Sequence, residues 1–122
     1  MPTAPSAPPL SRFRRAGDLI FVSGQLPRDA AGALIGGDSV AQSRQALANL
    51  VAVLAEAGAR PADVVKVTAW LTEPGHAAGF NLAYQEIFQA PYPARSVVIS
   101  GLVADAAVEV EAVAFAPLAS QP

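Results

Sequence analysis

Two stretches of this chain, Leu19-Ile20-Phe21-Val22 and Ser96 to Ile99, place apolar side chains on both faces of any strand they form, because side chains alternate along an extended backbone. The sequence offers only two helical patterns to cover them, and two helices shield one face of a sheet. The other face would stay bare, and a contiguous apolar surface of that size is unusual on a monomer. The pattern therefore predicts a homo-oligomer buried through the sheet.

The rest of the periodicity fits that frame. Arg12 to Arg15 and Leu19 to Val22 read as paired strands joined by a turn at Gly17-Asp18. Ser23-Gly24-Gln25-Leu26-Pro27 ends the second run at a turn or bulge, since Pro27 has no backbone donor, and Leu34-Ile35 makes a brief strand at most. Leu47, Leu50, Val51 and Leu54 recur at helical spacing, with Ser39 and Gln42 at capping-box spacing and Gly58 at the expected left-handed cap, which predicts a helix over Ser39 to Ala57. Val64 to Leu71 reads as a strand with Val65, Val67, Ala69 and Leu71 on one face and Lys66, Thr68 and Trp70 on the other. Phe80, Ala83, Tyr84, Ile87 and Phe88 form the stripe of a second helix, Ala77 to Phe88. A proline-rich loop then delivers Ala94-Arg95-Ser96 to a strand through Ile99, and Val108 to Phe115 closes the sheet with Glu109 and Glu111 off its Val/Ala face. The order argues for an α+β layer fold with both helices on one face of the sheet. Residues 10–117 are expected to be a single domain, with residues 1–9 a flexible Pro/Ala/Ser-rich arm and residues 118–122 a tail.

Composition removes several functions. Eight Lys and Arg against ten Asp and Glu, with Lys66 the only lysine, leave no basic surface for nucleic acid. With no cysteine and one histidine, His76, the chain has no Cys/His zinc set, no cysteine nucleophile and no recognisable Ser/His/Asp pattern. No apolar run approaches the length of a membrane span and no signal-peptide pattern opens the chain, so a cytoplasmic location is expected.

Two charged positions carry candidate chemistry. Arg95, at the entrance to an apolar strand, offers paired planar donors suited to a carboxylate, or is a solvent-facing strand-end arginine. Glu109 and Glu111 are edge-strand carboxylates that discourage pairing, or, if their face lies in an interface, one is desolvated and handles a water. The Ser23-Gly24 pair is a turn or a place where a backbone N–H reaches an anion, and Asn81 lies on the second helix.

Taken together, these segments resemble the RidA (YjgF-like) family of reactive-intermediate deaminases. The matching stretches are Gly17 to Pro27, Gln42 to Gly58 with Val64 to Thr68, and Phe80-Asn81-Leu82-Ala83-Tyr84. The most specific are Pro93-Ala94-Arg95-Ser96 and Val108-Glu109-Val110-Glu111-Ala112-Val113-Ala114. The resemblance implies a chorismate-mutase-like protomer with a mixed sheet, in a homotrimer whose sheets form a central β-barrel with a cleft at each subunit boundary. It implies cofactor-free hydrolysis of enamine and imine acids of the 2-aminoacrylate/2-iminopropionate type to a 2-keto acid and ammonia. Arg95 falls on the family's substrate-carboxylate arginine and Glu109 on its water-positioning glutamate, while Ser23, Gly24 and Asn81 match pocket positions. Leu10 stands where many members carry tyrosine, and Val97 where many carry cysteine. The alternative expectation is a non-catalytic module of the same fold that binds a small carboxylate.

Overall fold

The computed structural model describes residues 7–118; the residues expected to form the outer arm, 1–6, and most of the tail, 119–122, lie outside the described residues. Strands β1 (Phe13–Ala16), β2 (Leu19–Gln25), β3 (Val64–Leu71), β4 (Ala94–Ile99) and β5 (Val108–Phe115) form one sheet in the order β1-β2-β5-β3-β4. Helices α1 (Ser39–Glu56) and α2 (Ala77–Ile87) complete the fold. All pairings are antiparallel except β3 with β4, so the sheet is mixed. Parallel neighbours need a crossover connection, and α2 lies within it.

Gly17 makes the β1–β2 turn at φ 60° and Gly58 ends α1 at φ 84°, both left-handed conformations that a Cβ would strain. At the start of α1 the sequence expectation is corrected. The cap is Asp38, whose Oδ1 accepts the Ala41 N–H at 2.9 Å, not Ser39. Gln42 is drawn elsewhere: its Nε2 donates to the Gly37 carbonyl and its Oε1 accepts the Ala107 N–H. An aspartate one residue earlier brings a full negative charge to the helix N-terminus and so takes the cap. Leu34-Ile35 forms only a single bridge, Arg28 with Leu34.

Two irregularities move side chains between faces. In β3 the register with β5 slips between Val64 and Lys66. Val65 is therefore exposed and Val64 joins Val67, Ala69 and Leu71 in the core, contrary to strict alternation. In β2 the register slips between Val22 and Gln25, so Ser23 and Gly24 lie in a bulge within the strand.

The core lies between the sheet and the helices. Ile20, Val67, Leu71 and Val110 meet Leu47, Leu50, Val53, Leu54 and Phe80, all fully or almost fully buried. Val53 takes the place that simple spacing gave to Val51, which is only half-buried. On the opposite face the pairs Leu19↔Phe115 and Phe21↔Val113 gather one apolar patch, with Leu19, Phe21 and Phe115 exposed at 37%, 45% and 49%. This is the bare face that the sequence requires.

Candidate functional site

Arg95 is the second residue of the edge strand β4, paired with the buried Val67, which puts its side chain on the helix-covered face. There α2 receives it. Its Nη2 donates to Asn81 Oδ1 at 2.6 Å, and its guanidinium carbon stands 4.8 Å from the centre of the Tyr84 ring and 5.7 Å from that of Phe80. Asn81, Tyr84, Gln85, Tyr92, Pro93 and Arg95 line an open recess of about 380 Å³. A guanidinium carries five donors, so one bond to Asn81 leaves others for a carboxylate.

Glu109 lies on the other face. It alternates with Val108 and Val110, which point into the core, and sits opposite Trp70 of β3. Its carboxylate folds over Gly24, so closely that a Cβ at residue 24 would fall on it. The β2 bulge thus makes room for the acid with a residue that has no side chain. Glu109, Gly24, Leu10, Leu26, Arg28 and Val103 are among the residues lining a groove of about 680 Å³. Burial pushes the Glu109 carboxyl above its ordinary range, and the nearby Glu111 carboxylate pushes it further the same way. An acid so placed accepts a proton more readily than a free glutamate.

Of the residues singled out by sequence, Gly24, Leu10 and Glu109 meet in this groove, and Arg95 meets Asn81 in the recess. Within one chain the two sets do not meet, because β3 and the thickness of the sheet separate them. Ser23 lines neither cavity; its hydroxyl donates to the Ser11 carbonyl at 2.5 Å, beside Phe21 and Arg14. Val97, two residues after Arg95 on β4, shares its face and is exposed at 36%. Sequence reasoning missed Tyr84, counted only as part of an apolar stripe, although its spacing of three residues from Asn81 puts both on one side of α2. It also missed Arg28, which no local pattern marks.

A mixed five-stranded sheet with two helices on one face, and with its ionisable candidates split between the two faces, defines a small α+β protein. The Endoribonuclease L-PSP family matches residues 1–116. A RutC family protein of Pyrococcus abyssi is 40% identical over 109 residues, 88% of this chain and 86% of that protein. The 2-iminobutanoate/2-iminopropanoate deaminase of Salmonella typhimurium is 35% identical over 102 residues, 80% of each chain. The crystal structure of RidA from the Antarctic bacterium Psychrobacter sp. PAMC 21119 superimposes with a TM-score of 0.84 at 32% identity, covering 92% of this chain and 93% of that one. The chain belongs to the Endoribonuclease L-PSP family, which is the RidA (YjgF-like) family its sequence resembles. No helix among the described residues is long and apolar enough to cross a membrane.

Proposed function

We propose that this protein hydrolyses reactive 2-enamine and 2-imine acids to 2-keto acids and ammonia without a cofactor, in clefts assembled between copies of the chain in a homotrimer. The observation that carries the reading is the division of the site. Arg95 waits in an open recess on one face and Glu109, its carboxyl raised, waits in a groove at the other. Sheets that associate through the bare Leu19, Phe21 and Phe115 surface bring the guanidinium of one copy towards the carboxylate of the next, and bury the apolar patch at the same time.

In that cleft the Arg95 guanidinium takes the substrate carboxylate as a paired acceptor, and the Gly24 backbone supports it. An enamine substrate enters as its imine tautomer. Glu109 orients a water against the imine carbon and accepts its proton as the C–O bond forms and the C=N π electrons move to nitrogen. Protonated Glu109 returns that proton to the nitrogen to give the neutral carbinolamine. The carbinolamine hydroxyl proton then passes by way of the Glu109 carboxylate to the amino nitrogen, the C=O bond forms as the C–N bond breaks, and ammonia leaves with the 2-keto acid. Imines hydrolyse readily in water, so positioning and proton transfer, typically about 10²–10⁴-fold, suffice. The name of the Salmonella relative supports this reaction, and the net charge of −2 with a single lysine favours a small anionic substrate over RNA. Leu10 and Leu26 in the groove favour side chains with apolar surface.

The test mixes two impaired variants. Arg95→Ala chains lack one half of the site and Glu109→Gln chains the other, so trimers reconstituted from both contain some intact clefts, roughly a quarter under random pairing. Iminopropionate generated in situ by an amino-acid oxidase reports the recovered activity. No recovery in the mixture overturns the shared cleft, and pyruvate binding by a wild type that fails to accelerate hydrolysis replaces the hydrolase with a carboxylate-binding module.

A further inference from the structure

Among the recess side chains that the reaction leaves unused, Tyr84 is the one whose ring lies against the Arg95 guanidinium. Tyr84 is 4% exposed, and its hydroxyl is buried without a hydrogen-bond partner among the described residues. Whatever this side chain contributes at the recess, it contributes through its ring. The ring is itself held on both sides along α2, with the Phe80 centroid at 5.7 Å and the Phe88 centroid at 4.6 Å, both tilted by just over 40°. The guanidinium of Arg95 lies within cation–π distance of that central ring while Asn81 fixes one of its nitrogens. An arginine on an exposed edge strand has several rotamers open to it, and ordering it when substrate binds costs conformational entropy. A ring beneath the guanidinium and an amide at its edge remove most of that freedom beforehand.

We infer that Tyr84 is a positioning residue, its buried ring forming the platform that aims the Arg95 guanidinium at the substrate carboxylate. The inference rests on the deaminase reading for the identity of the substrate, but the platform itself is read from the geometry of α2 and β4. Burial raises the Tyr84 hydroxyl above its ordinary pKa, against the smaller opposing pull of Arg95, so the ring stays neutral. A neutral ring offers the guanidinium its negative face without forming a competing ion pair.

The experiment measures pyruvate affinity by calorimetry alongside iminopropionate hydrolysis. Tyr84→Leu is expected to weaken pyruvate binding and raise KM by roughly threefold to thirtyfold with kcat little changed, and Tyr84→Phe to rescue both. In an Arg95→Ala background, Tyr84→Leu should cause no further loss, because it acts only through the arginine. Should Tyr84→Leu fold poorly, phenylalanines at residue 84 carrying successively more fluorine keep the shape while draining the ring face, and pyruvate affinity should fall stepwise. A flat series, a loss in kcat alone, or additive losses in the double variant would each overturn the platform. Wild-type protein that binds pyruvate but leaves imine hydrolysis unaccelerated would remove the deaminase reading, and the pyruvate series would still decide the platform.

Discussion

The carboxylate of Glu109 occupies the space in which a side chain at residue 24 would begin. Because the obstructing atoms are the far end of a flexible acid, Gly24→Ala should fold normally but displace Glu109. The expected outcome is a drop in kcat of at least about tenfold, within the range of a lost general base, with little change in melting temperature. Unchanged kcat would mean that Glu109 does not work from this position.

Arg95→Ala should cost about 1.5–3 kcal/mol of substrate stabilisation, roughly one to two decades in kcat/KM for iminopropionate. Arg95→Lys retains the charge but not the planar pair of donors, so it should recover only part of the loss. Wild-type rates from Arg95→Ala would remove the arginine from the site.

The pH dependence follows from Glu109. In the proposed reaction its working form is the carboxylate, and burial together with Glu111 raises its pKa, so activity should fall on acidification at a higher pH than an ordinary glutamate would give. Glu111→Gln removes the like charge, lowers the Glu109 pKa and should shift the acid limb of kcat/KM to lower pH. An acid limb unmoved by this substitution would exclude Glu109 as its origin.

Phe21→Glu places a charge in the apolar patch formed with Leu19, Val113 and Phe115. Light scattering should report a fall in mass towards the single chain, with loss of deaminase activity. A variant that keeps the wild-type mass would relocate the subunit contact.

Leu50 of α1 is completely buried against the sheet. Leu50→Ala should lower stability by about 2–5 kcal/mol, measured by denaturant unfolding at fixed protein concentration. A smaller loss would mean that the surrounding core collapses into the cavity.

Much of this architecture was legible from spacing. Leu47, Leu50 and Leu54 gave α1, and Val108, Val110, Ala112 and Ala114 gave the inner face of β5. The slip at Val65 was not, because a bulge depends on the partner strand and leaves no mark on periodicity within its own segment. Glu109 could be assigned to the outer face because β5 alternates cleanly. Arg95 could not, since β4 is apolar on both sides and its parity says nothing about direction; the contact with Asn81 and Tyr84 decides it. Tyr84 escaped notice for a related reason: an aromatic residue in a buried stripe looks the same whether it only fills volume or also carries a cation.

The parting of Arg95 and Glu109 by the sheet has a bearing on inheritance and dose. Under the shared arrangement each polypeptide lends its base to one neighbour and its anion clamp to the other, so a lesion in a single copy blunts catalysis beyond its own borders. Specific activity would likewise decline on dilution, as rings come apart into protomers that are intact in shape but inert.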